Sequence, residues 1–202
     1  MRALFLRGLT VAALAFAVIA SDPARAVAQI SGPRGLPLTV DPFFTPTRIE
    51  SLLATPNLVL VVDYYRIDMR FGPNLRIDAV VVDAIDSRTR LKGLRVQVRD
   101  PESRGRQDGT SFIDIDELTT LSRAVASVAE LAVKWTHDDR QATEMTFTTA
   151  GGFRLAIRHS ARVPRAFLST GLLDPVVTSM DLAELPTLKQ AFDEALAILN
   201  RK

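Results

Sequence analysis

Apolar residues recur along this chain with two periods, and each period predicts a different element. Between residues 58 and 113 they begin as a continuous run at Leu58 and then alternate with polar residues over several stretches, which is typical of strands. Gly72-Pro73-Asn74 interrupts this alternation as a turn. The pattern predicts four successive strands: Leu58–Phe71, Leu75–Ile85, a third with Leu94, Val96 and Val98 on one face, and Thr110–Ile113.

After the fourth strand the apolar spacing becomes three and four residues, which predicts an amphipathic helix from Ile115 to Lys134. Asp114, followed by Glu117 three positions later, is typical of a capping-box start. The residues expected to face the core are Leu118, Leu121, Val125, Val128, Ala132 and Trp135.

The second half of the chain repeats this order. Ala150-Gly151-Gly152 is typical of a hairpin turn, and Pro186 is expected to delay the regular start of a final helix. The predicted elements are strands Ala142–Thr149, Phe153–His159, Arg165–Ser169 and Val176–Ser179, and a helix over Leu182–Leu199 that places Leu185, Leu188, Phe192, Ala195, Leu196 and Leu199 inward. The expected fold class is therefore α+β, with two ββββα-type halves in which antiparallel sheets pack against two amphipathic helices.

The two predicted helices align with each other at a fixed offset of 67 residues. Common ancestry of the two halves, 58–135 and 142–202, explains this similarity, and so does convergence of two capped amphipathic helices. The identical pairs are Asp114/Asp181, Glu117/Glu184, Leu118/Leu185, Thr120/Thr187, Leu121/Leu188 and Ala124/Ala191.

Charge predicts the register of the first hairpin. Residues that face each other in an antiparallel pair have positions with a constant sum, and opposite charges stabilise such a pair. A sum of 144 places Arg66 opposite Asp78, and Asp68 opposite Arg76. A sum of 146 opposes Asp68 with Asp78, and 145 opposes apolar with polar positions. The expected register is therefore 144.

The N-terminal residues are typical of a secretory signal peptide. Two arginines precede an uncharged apolar run, Gly8 to Ala20, and two overlapping A-x-A sites follow it. Cleavage is expected after Ala28, with Ala26 as the second choice, which exports the mature chain to the periplasm or the medium. The expected organisation is a cleaved signal peptide (1–28), a Pro-rich lead-in (29–57) with a helical turn near Thr47–Leu53, and a single α+β domain (58–202).

Charge and composition narrow the class of function. The chain has 25 Lys and Arg against 23 Asp and Glu. Since the leader holds three of the arginines and one of the acids, the mature chain has 22 of each and is formally neutral. Nucleic-acid-binding proteins normally have a basic footprint, so no nucleic-acid partner is expected. The chain has no cysteine, so packing without disulfides must hold the mature domain together.

The densest cluster of chemically capable side chains is His137 with Asp138 and Asp139. The histidine could act as a general base oriented by a carboxylate, while a solvated turn between helix and strand explains the same residues. The other histidine, His159, has no neighbouring ligand residues. With two histidines and no cysteine, the sequence predicts neither a structural metal site nor a cofactor.

Two further polar groups have structural explanations. Asp114, Asp116 and Glu117 are expected to cap the first long helix, whose N-terminal N–H groups favour carboxylates, rather than to form a catalytic pair. The loop Arg99–Gly109 contains three arginines and three acids and is expected to be a solvated hairpin loop. A long loop of this kind could also recognise an anionic partner.

Two short segments, Ser111–Leu118 and Thr149–Phe153, resemble segments of bacterial exported proteins of unassigned function. The order of four strands and a helix, repeated twice, is similar to that of the Whirly-type single-stranded-DNA-binding proteins. This second resemblance implies strand order alone, because one fold supports unrelated functions.

The sequence therefore favours an exported, non-enzymatic module that binds an unknown protein or small ligand in the cell envelope, with no stable membrane anchor after cleavage. The alternative is an exported hydrolase that uses His137 with Asp138 or Asp139. Motifs for serine hydrolases, P-loops and dinucleotide folds do not occur in the chain.

We expect protein recovered from the periplasm or the culture medium to begin at Gln29 or Val27, because signal peptidase cleaves after small residues. N-terminal sequencing measures this directly. Membrane-embedded material that still begins at Met1 would contradict both the cleavage and the export of a soluble domain.

Overall fold

The computed structural model describes residues 45–67, 71, 74–100, 108–135, 142–160, 163–171 and 174–202. The predicted signal peptide and most of the lead-in lie outside these residues and stay predictions. The first half contains helix α1 (Arg48–Leu53), strands β1 (Leu60–Arg66), β2 (Leu75–Ala84), β3 (Thr89–Arg99) and β4 (Asp108–Asp114), and helix α2 (Ile115–Trp135). The second half contains strands β5 (Ala142–Thr148), β6 (Arg154–Ser160), β7 (Val163–Thr170) and β8 (Val176–Met180), a 3-10 turn (Leu182–Glu184) and helix α3 (Leu185–Arg201).

Each half forms its own antiparallel sheet. The strand orders are β1-β2-β3-β4 and β5-β6-β7-β8, so every strand pairs with its neighbour along the chain. This confirms the predicted α+β class with two ββββα halves. The last helix begins at Leu185 rather than at Leu182, because Pro186 fits only within the first turn of an α-helix and the three preceding residues form the 3-10 turn.

The two sheets and the two long helices share one hydrophobic core. Helix α3 packs on β2 and β3 of the first sheet, and α2 contacts α3 and both sheets. Leu196, which was expected to face inward, is half-buried at the margin of this core. The other predicted helix positions that the structure describes are buried: Leu118, Leu121, Val125, Val128, Ala132, Leu185, Leu188, Phe192, Ala195 and Leu199.

The register of the first hairpin is the predicted one. Leu60 faces Ala84 and Arg66 faces Asp78, which gives the constant sum of 144. The backbone N–H of Ile67 donates to the carbonyl oxygen of Ile77 at 3.1 Å, which extends the same register by one residue. The predicted facing pair of Asp68 and Arg76 lies partly outside the described residues.

Helix α1 covers one part of the outer face of the first sheet. A capping box starts the helix: Glu50 N donates to Thr47 Oγ1 at 3.1 Å, and Thr47 N donates to Glu50 Oε2 at 2.9 Å. Ile49 is fully buried in a cluster with Val80. A Cβ atom at Gly93 would lie 2.5 Å from Ile49 Cδ1, so the helix approaches this closely only because residue 93 has no side chain.

The acids at the start of α2 lie in its first turn or directly before it, where a helix N-terminus favours carboxylates, and their side chains also contact other segments. Asp114 accepts hydrogen bonds from the first two N–H groups of α1, at 2.9 and 3.3 Å. Asp116 forms an ion pair with the Arg48 side chain, and Glu117 Oε1 accepts from Ala150 N at 3.1 Å. Strand β4 runs directly into α2, and these carboxylates therefore also connect the start of α2 to α1 and to the hairpin turn at Ala150.

Truncating one core leucine in either long helix should destabilise the domain strongly. Leu121→Ala and Leu188→Ala each remove a fully buried side chain, and we expect each to cost about 2–5 kcal/mol of unfolding free energy. Thr119→Ala changes an exposed position of the same helix and should cost less than about 0.5 kcal/mol. Urea unfolding compares the three variants, and equal small effects would contradict the shared core.

Candidate binding surface

The part of the outer face of the first sheet next to α1 carries several arginines around one carboxylate. The strand register places Arg66, Asp78 and Arg95 in one row across β1, β2 and β3. The next row of this face includes Arg76 opposite Gln97. We call this surface the arginine face, and define it by Tyr64, Arg66, Arg76, Asp78, Arg95, Gln97, Arg99 and Asp108.

Asp78 is fully buried at the centre of the arginine face. Arg76 Nε donates to both of its carboxylate oxygens, at 3.1 and 3.0 Å. Arg95 donates to Asp78 Oδ2 from Nε at 3.1 Å and from Nη2 at 2.7 Å. A buried carboxylate is tolerated only when it is paired and hydrogen-bonded, and the two guanidinium groups meet that requirement.

Arg95 is also held from its other side. Its guanidinium carbon lies 3.8 Å from the centroid of the Tyr64 ring, which is a cation–π contact. The Arg95 side chain is 16% exposed, whereas Tyr64 is 43% exposed. Arg95 is therefore fixed as part of the framework, and the tyrosine ring remains accessible to a ligand.

A cleft with a volume of about 310 Å³ adjoins this network. Its polar lining includes Arg66, Arg76, Gln97 and the pair Arg99–Asp108. In that pair, Arg99 donates to Asp108 at 2.8 and 3.2 Å, and this hydrogen bonding raises the pKa of Arg99. Arg66 has no ion pair within the described part of the chain. The cleft is thus lined by accessible arginines, and one of them, Arg76, is hydrogen-bonded to the buried Asp78.

The outer face of the second sheet carries a comparable group on β5 and β6. Glu144 accepts from Arg154 Nη2 and from Arg158 Nε, both at 3.2 Å. The guanidinium of Arg158 lies 5.1 Å from the centroid of the Phe167 ring. Burial lowers the pKa of Arg154, against the raising effect of Glu144, and the charge of Arg158 lowers it further. Each sheet therefore has two arginines that share one carboxylate on its outer face.

The residues proposed from sequence as a catalytic cluster, His137, Asp138 and Asp139, lie outside the described residues. Their role stays a prediction. The backbone of His159 lies in β6, opposite Thr143. The charged loop contributes its two ends to the structure, through the pair Arg99–Asp108, and the intervening residues 101–107 lie outside the described part.

Sequence reasoning did not find the arginine face as a site. Its one signal was Asp78, a charged residue within the apolar strand β2, and that residue was assigned to Arg66 across the first hairpin. The ion-pair partners are instead Arg76 on the same strand and Arg95 on β3. Finding Arg95 requires the register of β2 with β3, which the sequence pattern did not determine.

The described residues contain no group of three or more His, Asp or Glu side chains placed to hold a metal ion. None of the helices in the described part is long and apolar enough to cross a membrane.

Comparison with known proteins gives no family for this chain. No protein-family model matches it, and no curated protein matches it. The resemblance of its two short segments to bacterial exported proteins therefore stays a prediction. Among solved structures, it is similar to the crystal structure of WHY1 from Arabidopsis thaliana, with 14% sequence identity, 69% of this chain and 91% of that chain covered, and a TM-score of 0.30. A structural overlap this low supports neither a family nor a function.

The buried carboxylate should be important for stability. Asp78→Asn removes the charge that neutralises Arg76 and Arg95, and breaking a buried ion pair from one side costs about 3–5 kcal/mol. Asp83→Asn is the matched control on the same strand, because Asp83 is 30% exposed and its contact with Arg90 is 3.6 Å long. We expect that control to cost less than about 1 kcal/mol in urea unfolding. Equal costs would contradict the central role of Asp78.

Proposed function

We propose that this protein is an exported, non-enzymatic binding module that recognises carboxylate groups of a partner protein or a small ligand through the arginine face. The observation that carries the proposal is the geometry around Asp78. This carboxylate orients Arg76 and, through Arg95, the ring of Tyr64, next to a cleft that Arg66 also lines.

Arginine suits carboxylate recognition for a geometric reason. The planar guanidinium offers five N–H donors, and two parallel donors match the two oxygens of a carboxylate. Arg76 uses Nε toward Asp78, and its side chain is 47% exposed. Within the described residues, its remaining donors and those of Arg66 have no hydrogen-bond partner and lie at the rim of the cleft.

The rigidity of the network also favours binding over a purely structural role. A buried ion network is weak evidence for stability, because apolar residues of similar volume often stabilise a protein as well or better. Side chains that are already fixed lose little conformational entropy when a ligand binds. The buried pairs around Asp78 thus hold arginines in a binding-competent geometry before the ligand arrives.

The local charge supports an anionic ligand although the predicted mature chain is neutral. The arginine face has four arginines and two aspartates, Asp78 and Asp108, and so a local excess of positive charge. A surface of this size fits an acidic peptide segment or a small carboxylate, whereas a nucleic-acid footprint normally requires a more extensive basic surface.

Titration of the 15N-labelled protein with a tri-glutamate peptide tests the proposal by NMR. We expect amide shifts concentrated at Arg66, Arg76 and Gln97. Arg66→Gln should weaken the affinity by about tenfold or more, because a hydrogen bond to a charged group contributes roughly 1.5–3 kcal/mol. Arg66 is exposed, so this variant should remain folded.

Arg123→Gln is the matched control. It removes the same charge from an exposed position of α2, away from the arginine face. We expect the affinity of this variant to stay within about twofold of the original, since distant exposed charges are largely screened by salt. Equal weakening by both substitutions would show a general charge effect, and the absence of peptide-induced shifts would contradict carboxylate recognition by this surface.

A further inference from the structure

The register of the second sheet places two positive charges directly opposite each other. Arg158 of β6 faces Arg165 of β7 in the antiparallel ladder. Side chains that face each other share a face of the sheet, with Cβ atoms roughly 4.5–5.5 Å apart, and like charges in this position are destabilising. This pair therefore requires a neutralising group nearby.

The carboxylate next to this pair is already shared. Glu144, on the opposite side of Arg158 from Arg165, accepts from both Arg154 and Arg158. No ion pair of Arg165 is found within the described part of the chain. Three arginines on β6 and β7 thus have one glutamate, and its contacts are directed away from Arg165.

One donor of this group is buried without a partner. Nη2 of Arg158 is inaccessible to solvent and makes no hydrogen bond within the described structure. A charged donor that has lost water without gaining an acceptor costs free energy, and such atoms in native proteins require an explanation such as an unseen ion. An acceptor at this position would satisfy the donor and separate the two like charges.

We propose that the outer face of the second sheet binds an oxyanion between Arg158 and Arg165. The anion accepts from Arg158 Nη2 and from the guanidinium of Arg165, whose exposed side chain can close over it. The ring of Phe167 lies beside the guanidinium of Arg158. The ligand class is a small group with two or more charged oxygens, either a tetrahedral phosphate or sulfate or a planar carboxylate.

This site is independent of the carboxylate-binding arginine face. The two surfaces lie on different sheets and share no residue. The ligand of one surface does not need a second acidic group that reaches the other surface. Either site can exist without the other. Variants of Arg165 and of Arg66 therefore separate the two proposals experimentally.

The test measures the thermal unfolding midpoint of the protein in sodium phosphate, sulfate and acetate, each against sodium chloride at equal ionic strength. Wild-type protein should show a saturable rise with at least one oxyanion, because a ligand that binds only the folded state stabilises it. Phosphate and sulfate without acetate would identify a tetrahedral ligand. Because the arginine face is proposed to bind carboxylates as well, an acetate response supports this site only where Arg165→Gln weakens it.

Arg165→Gln should weaken the apparent affinity for that anion by about tenfold, since it removes one charged hydrogen-bonding group. Arg165→Glu should raise the midpoint in chloride, because it replaces a like-charge pair with an opposite-charge pair, and should abolish the anion response. Arg123→Gln is the control and should retain the full response, while Arg66→Gln should lose only binding at the arginine face.

Three results would overturn the site. The first is a wild-type protein whose midpoint is the same in all salts at equal ionic strength. The second is a response that Arg165→Gln leaves unchanged. The third is a response lost in Arg66→Gln but kept in Arg165→Gln, which would place the anion on the first sheet.

Discussion

Neither sheet of this protein can leave its inner face in water, and both cover that face with the same pair of helices. The chain has no cysteine, so this shared burial holds the two halves together without disulfides. The sheets also approach each other closely: a Cβ atom at Gly109 of β4 would lie 2.5 Å from Thr170 Oγ1 of β7. Gly171 N donates to Ser111 Oγ at 3.1 Å across the same contact. The halves are therefore one folding unit within the described residues.

Because apolar side chains occupy the inner faces of both sheets, the two groups of arginines around a carboxylate lie on the outer faces. On each sheet two arginines share a carboxylate and one of them lies over an aromatic ring, Tyr64 in one case and Phe167 in the other. In both groups strand pairing brings the charges together, so they are held by the backbone ladder rather than by loops. Positions fixed by a sheet lose little freedom on binding, which is why these faces, rather than the charged loop, are the proposed binding surfaces.

Helices α2 and α3 align at an offset of 67 residues, and the structure shows which of the identical positions have the same role in both helices. Leu118 and Leu185 are both fully buried, as the 67-residue alignment implies. The aligned acids differ: Glu184 accepts from Asp181 N at the start of its own helix, whereas Glu117 accepts from Ala150 N on another segment. The aligned leucines are buried in both halves because both helices face the same core. The aligned glutamates accept from different donors, because different segments lie next to them.

The sequence alone determined the elements, the fold class, the helix stripes and the register of the first hairpin, because these follow from periodicity and from pairing between neighbouring strands. It did not find the partners that Asp114 and Glu117 have on other segments, nor those of Asp78 or of Glu144. Those contacts depend on where a third strand or a distant helix lies, as with the 66 positions that separate Arg48 from Asp114. Local patterns carry no information on such distances. Only the packing of the sheets and helices decided which charges meet, and therefore where the proposed binding surfaces lie.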